Sequence, residues 1–247
     1  MKIIGIIPVR LESSRLPNKA IADICGLPMF VHTYRRAKLA KLLDEVYLAT
    51  DNDRIVRIAN QYGVKTIMTS KHHKNSSERI AEACNDIDGD IIVNIQGDEP
   101  LLYPNHIDEI LAPMIENPEI QVSIGVSKFY KKNSTSDIKA VIDLNNNLLY
   151  SSRNDIPCNY KKDFEGFWKL VFIVPHRKNI IQKYLEWDQT PLELIEDNHF
   201  LRLTEHGVMI RVVEVSDAKI SVDTKEDLDE VINIMKNDEL MKEYIKL

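Results

Sequence analysis

Glycine is scarce in this chain, at 8 of 247 residues. Neither G-x-G-x-x-G nor a Walker-type G-x-x-x-x-G-K-[ST] loop occurs, which argues against a dinucleotide-binding dehydrogenase and a P-loop NTPase. Cysteine is scarcer still. Cys25, Cys84 and Cys158 show no C-x-x-C spacing and define neither a disulfide framework nor a zinc site. Positive charge is not in excess: 32 Lys and Arg against 38 Asp and Glu leave a net −6, the wrong sign for a nucleic-acid-binding surface. No apolar run approaches the roughly 20 residues that span a bilayer. The apolar amino-terminal stretch meets Arg10 at once and carries no small-residue cleavage site, which argues against a signal peptide. A cytoplasmic protein with no membrane and no nucleic-acid partner is expected.

What the chain does have is 44% hydrophobic residues in short, regularly spaced runs. Up to about residue 115, β-branched runs (Ile3–Ile7, Val46–Ala49, Thr66–Met68, Ile91–Ile95) alternate with segments of helical spacing, the pattern of βαβ units and a mostly parallel sheet. Pro104–Ile115 predicts a helix buried on one face, with Ile107, Ile110, Leu111 and Met114 in register. Further on, Val122–Val126 predicts a strand. Ile138–Asp143 and Leu148–Ser152 flank Asn145–Asn147 and predict a hairpin. Trp168–Val174 predicts one more strand, Arg177–Glu186 a helix, and Thr190-Pro191-Leu192-Glu193 a capped helix start. Thr224 to Asp227 forms a capping box before Leu228, Val231, Ile232 and Met235 at helical spacing. With no internal repeat and no Gly/Ser linker, the chain reads as a single α/β domain, 1–247, with a hairpin lobe at approximately 128–168.

In an open parallel sheet, ligands bind beyond the carboxyl ends of the strands, and two polar segments emerge there. The first, "RLESSRLPNK" (Arg10–Lys19), offers Arg10, Arg15, Lys19, Ser13 and Ser14. Such a loop can neutralise a phosphate chain, or it can be a solvated loop with surface ion pairs to Glu12. The second, "VNIQGDEP" (Val93–Pro100), ends an apolar strand at Asp98 and Glu99, with Gly97 permitting a close backbone approach. Asp98 is a candidate Mg²⁺ ligand or a turn cap. Asp223, after the strand-like Lys219–Val222, is an Asx-type cap or a second ligand for the same ion. Two carboxylates and a cationic loop at one sheet edge suit nucleotidyl transfer, in which positioning and charge neutralisation do most of the work.

These segments, together with "PMFVHTYRRA", "VYLATDNDRI", "SSERIAEA", "LYSSRNDIP" and "VDTKEDL", form a collinear series. The series resembles the 3-deoxy-manno-octulosonate (Kdo) cytidylyltransferases nearly end to end. The resemblance implies a nucleotide-diphospho-sugar transferase fold and a Mg²⁺-dependent enzyme that joins CTP to a small acidic acceptor and releases pyrophosphate. It also implies a homodimer built through the "LYSSRNDIP" hairpin. Carried over, Arg10, Lys19 and Asp98 are catalytic. Arg10, Ser13, Ser14, Arg15, Lys19, Ser77 and Arg79 bind nucleotide, Asp98 and Asp223 bind metal, and Gln96, Lys169 and His199 face the acceptor.

The acceptor side departs from the family pattern. "KLVFIVPHR" stands where "HLGIYGYR" is usual, and "NHFLR" where "LEQLR" is usual, so Lys169, Ile173, His199 and Phe200 occupy pocket positions. Lys169 adds a fixed positive charge and His199 a titratable one. Kdo or a related ulosonic acid is the expected acceptor. The alternatives are the same CTP chemistry on another acidic sugar or a small phosphonate, or a nucleotide-binding homologue without turnover.

Overall fold

The first strand, β1 (Ile3–Val9), is buried along its length save for Pro8, which is only partly covered. Its side chains alternate between two cores: Ile3, Ile7 and Val9 join one, Ile4 and Ile6 the other. A strand buried on both faces belongs inside a parallel sheet, and β1 pairs in parallel with β4 (Glu45–Thr50) on one side and β6 (Ile91–Ile95) on the other. The structure, a computed structural model, describes residues 1–13, 15–158, 160–161 and 165–245. Among them a ten-stranded mixed sheet runs β5-β4-β1-β6-β11-β7-β10-β8-β9, with β12 beside β7. The remaining strands are β5 (Thr66–Met68), β7 (Val122–Phe129), β8 (Lys139–Ile142), β9 (Leu148–Ser152), β10 (Phe167–Val171), β11 (Ile173–Arg177) and β12 (Ile210–Glu214).

Helices α1 (Met29–Ala37), α2 (Asp53–Gln61), α4 (Pro104–Glu116) and α9 (Glu239–Tyr244) cover one face through Phe30, Ile55, Ile107 and Tyr244. The other face is covered by α3 (Ser76–Ala83), α5 (Lys178–Lys183) and α7 (Leu201–Glu205), through Ile80, Ile181 and Leu203. Short α6 (Pro191–Glu196) begins where Glu193 accepts from the Thr190 N–H at 3.3 Å. A third cluster joins α8 (Lys225–Met235) to the ribbon of β2 (Asp23–Ile24) and β3 (Leu27–Pro28): Ile24, Met29, Leu101, Val222, Leu228, Val231 and Met235 pack together there. This cluster brings the far end of the chain back to β6. No helix among the described residues is long and apolar enough to cross a membrane.

The α/β expectation holds, and the hairpin turns at Asn146 with a left-handed φ of 59°. Three elements differ from the sequence reading. The Trp168–Val174 run is broken at Phe172: β10 and β11 both pair antiparallel with β7, but the register shifts between Val171↔Gly125 and His176↔Val122, and beyond the break the other edge of β11 pairs with β6. The Arg177–Glu186 helix is shorter: after Lys183, the N–H groups of Tyr184, Leu185 and Glu186 bond three residues back, a tightened last turn. Lys219–Val222 forms no strand. It is tied main chain to main chain to the body of the fold by the Val222 N–H, which donates to the Asp98 carbonyl at 3.0 Å.

Candidate active site

Gly97 sets the first side of the site. A Cβ there would meet Val9 Cγ2 at 2.8 Å and the Pro8 carbonyl oxygen at 2.9 Å, so only glycine lets the turn after β6 lie against the end of β1. That contact puts Asp98 beside the cationic loop. In the loop, Asn18 takes a left-handed φ of 57°, which asparagine tolerates, and starts a single 3-10 turn, Lys19–Ile21. The second side comes from α8. Thr224 caps the helix, its hydroxyl accepting from Asp227 N at 3.2 Å, while the Asp227 carboxylate accepts from the N–H groups of Asp223 and Thr224. Asp223 is therefore not the cap. Its carboxylate is free to face the loop.

The ammonium of Lys19 joins the two sides. It donates to Asp98 Oδ2 at 2.7 Å, to the Val222 carbonyl at 2.8 Å and to Asp223 Oδ1 at 3.1 Å. Burial works to lower the Lys19 pKa, but the Asp98 and Asp223 carboxylates outweigh it, and the ammonium titrates above its ordinary value. Arg15 adds a second cation, donating to Asp223 Oδ1 at 2.9 Å. Arg10 is exposed and forms no hydrogen bond or ion pair among the described residues. The Ser13 hydroxyl accepts from the Leu16 N–H at 3.4 Å. Ser14 lies outside the described residues. Beside Asp98, the Glu99 carboxyl is pushed up to about 7, first by burial and then by the Asp98 charge, and it accepts a short hydrogen bond from Ser221.

A second cluster lies at the same end of β6. Gln96 Nε2 donates to Ser76 Oγ at 3.2 Å and to Asn94 Oδ1 at 3.0 Å, and Ser76 Oγ meets His199 Nε2 at 3.3 Å. Ser76 begins α3, so a helix start, a strand end and the α6–α7 connection converge on one hydroxyl. Ser77, next to it, is buried with its hydroxyl unpartnered.

Two donor sets follow. Asp98 and Asp223 are carboxylates close enough to share one cation, and Arg10, Arg15 and Lys19 are cations at the same edge. Among the described residues, no three His, Cys, Asp or Glu side chains converge as an all-protein metal cage. The pair suits an ion of the Mg²⁺ kind, which takes one or two carboxylates and completes its shell with substrate phosphate and water.

The family model described as cytidylyltransferase matches residues 4–213. The 3-deoxy-manno-octulosonate cytidylyltransferase of Geobacter sulfurreducens is 39% identical over 251 residues, covering 96% of this chain and 100% of that protein. Its counterpart from Geobacter metallireducens is 40% identical, covering 94% and 97%. This chain belongs to the Kdo cytidylyltransferase family. Among solved structures, CMP:2-keto-3-deoxy-manno-octonic acid synthetase complexed with CTP matches with a TM-score of 0.92 at 32% identity, covering 96% of this chain and 99% of that one. The family expectation drawn from the sequence motifs is thereby met, and with it the assignment as a nucleotidyltransferase enzyme.

Not every expected family residue reaches the site. Arg79 is buried and donates to Asp51 Oδ2 at 2.8 Å and Thr69 Oγ1 at 2.5 Å, so its guanidinium braces the loops after β4 and β5 rather than facing a ligand. Lys169 does not bring a free positive charge, because Asp137 pairs with it at 2.5 Å. Nor is His199 charged at neutral pH: burial holds its pKa down to about 4. Phe200 and Ile173 are core residues at 1% and 3% exposure, and Phe200 stacks on Phe172 with centroids 5.7 Å apart. Sequence reasoning missed Ser76. The only signal was its place between the Asn75 cap and Ser77 at a helix start, where a hydroxyl is commonplace.

Proposed function

We propose that this chain transfers the cytidylyl group of CTP to Kdo, forming CMP-Kdo and pyrophosphate. The observation that carries the reading is the meeting of Lys19, Arg15, Asp98 and Asp223 where β1 and β6 end. Arg10, Arg15 and Lys19 neutralise the triphosphate and the departing pyrophosphate. A hydroxyl of the sugar acid attacks the α-phosphorus in line, in a reaction governed by positioning and charge. Asp98 and Asp223 would hold Mg²⁺, which neutralises phosphate charge when bound. Gln96, held by Ser76 and Asn94, presents its amide oxygen to the acceptor, and His199 serves there as a neutral hydrogen-bonding group.

The paired Lys169 and the neutral His199 remove the case for a more highly charged acceptor. The retained carboxylates and cations favour turnover over mere binding. A cytoplasmic setting fits a CTP-consuming reaction. A homodimer is proposed through the β8–β9 hairpin: β9 ends the sheet order and Leu149 is 61% exposed. Sedimentation velocity should report a pair, and a monomer would remove that assignment.

The reaction is tested by pyrophosphate release from CTP and Mg²⁺ with Kdo, beside a panel of other sugar acids and phosphonates. Release is expected with Kdo; release with another acceptor alone would overturn the acceptor.

A further inference from the structure

An ammonium group has three N–H donors, and those of Lys19 are all engaged, on Asp98, Val222 and Asp223. Its side chain is only 15% exposed. The turn that presents it is itself hydrogen-bonded, Lys19 N to the Leu16 carbonyl at 3.1 Å and Ile21 N to the Asn18 carbonyl at 3.0 Å. Lys19 thus sits where a metal shared by the two carboxylates would sit, with no donor left over for a phosphate.

The other loop cations differ. Arg10 is exposed and unpaired among the described residues, and Arg15 is 58% exposed with its one bond on Asp223. They can receive a phosphate chain first. A divalent ion and an ammonium cannot share one carboxylate pair, since like charges at about 3 Å repel strongly even at a screened dielectric. Metal entering alone must therefore break both carboxylate hydrogen bonds and leave Lys19 with the Val222 carbonyl as its one acceptor. Metal entering with a triphosphate meets no such obstacle, because the phosphate oxygens offer Lys19 and Arg15 new acceptors.

We propose that Lys19 is the resident cation of the Asp98–Asp223 pair, and that the chain takes up its divalent metal together with nucleotide phosphate, which draws Lys19 off the carboxylates. This rests on the reading of the site as a CTP and metal site. By linkage, whatever keeps metal out in the absence of nucleotide also sets how strongly nucleotide favours metal.

The test is Mn²⁺ binding without nucleotide, followed by electron paramagnetic resonance, on wild type, Lys19→Met, Lys19→Gln and Lys19→Arg, each checked for folding by its thermal melt. The two neutral variants should bind Mn²⁺ about tenfold or more tightly than wild type, a typical coupling. Lys19→Arg should stay closed like wild type, and adding Asp98→Asn to Lys19→Met should abolish the gain. Equal affinities in wild type and the neutral variants, whether measurable or too weak to detect, would overturn the proposal.

Wild type supplies a reading that needs no folded variant. The Lys19 side-chain NMR signal should stay in place when Mg²⁺ is added alone and move when CTP joins it; movement with Mg²⁺ alone would also overturn the proposal. Failure of the transfer reading shows separately, as no pyrophosphate from wild type with CTP, Mg²⁺ and Kdo, which the nucleotide-free titrations do not use.

Discussion

The backbone N–H of Val222 donates to the carbonyl oxygen of Asp98 at 3.0 Å, so the two carboxylate-bearing segments are joined main chain to main chain. Lys19 then closes the arrangement from the loop side through the Val222 carbonyl, at 2.8 Å. Behind this seam Val222 is buried with Leu101, Leu228 and Val231. The packing of α8 therefore sets where Asp223 stands, and the site is as rigid as that small core.

Asp98→Asn keeps an acceptor for Lys19 but removes the charge that would hold metal against phosphate. Transfer should fall by about two to three orders of magnitude, comparable to losing one electrostatic stabiliser of a transition state. CTP binding, carried mainly by the loop cations, should fall much less. Pyrophosphate release and calorimetry with CTP separate the two, and turnover within threefold of wild type would remove Asp98 from the chemistry.

Gly97→Ala asks for space that the end of β1 does not have, because one of the colliding atoms is the Pro8 carbonyl oxygen, which cannot rotate away. Overpacking of this kind costs about 1–3 kcal/mol. The displaced turn also carries Asp98, so activity should drop further than the stability loss explains. Urea unfolding beside pyrophosphate release checks both, and an unchanged kcat in a destabilised protein would show that the turn need not touch β1.

Much of this was legible in the sequence, because strand ends and caps are local. β5 and β6 fall on the expected residues, and the capping box at Thr224 follows from side-chain chemistry within a few positions. Environment was not legible. Lys169 shows a charge in the sequence, but Asp137, which neutralises it, lies on a different segment. Arg79 shows a cation beside the site motif, but Asp51 and Thr69 claim it from two other loops. The Lys219–Val222 run alternates like a strand, yet its backbone partner is the single carbonyl of Asp98 rather than a ladder. Residue type can be read along the chain; what a side chain is spent on depends on contacts between distant segments.

Ser76→Ala removes the hydroxyl that lies between Gln96 and His199 and leaves the Gln96 amide with Asn94 alone. One hydrogen bond of net worth near 1 kcal/mol corresponds to a KM for the sugar acid raised about fivefold. The KM for CTP should not move. A matched rise in both constants would mean that Ser76 supports the nucleotide side, and no change in either would separate Gln96 from the acceptor.

Stability should decline as the solution is acidified below about pH 6.5, before the paired carboxylates titrate. His32, His176 and His199 are each held down to about 4 by burial, against 6.5 for the free side chain. Between those values the unfolded chain binds protons that the folded chain refuses, so the stability these neutral rings permit is present above about 6.5 and is lost as pH falls toward 4. The paired carboxylates follow. Burial raises the Glu193 pKa, but the bonds from Arg202, at 2.6 and 2.7 Å, outweigh it and leave the value lowered; that contribution is present above the ordinary 4.5 and is lost as pH falls through the folded value. Glu99 works the other way: its folded pKa near 7 against the ordinary 4.5 gives the fold one extra proton over that range and offsets one of the three rings. Urea unfolding at intervals from pH 7.5 to about 4 should therefore show a net loss of stability below about 6.5 that steepens below 4.5. His199→Gln, which keeps a polar side chain toward Ser76, should make that slope shallower by one proton's share. A profile that rises down to pH 5 would mean that all three rings take up protons inside the fold, and His199 would then face the acceptor as a cation.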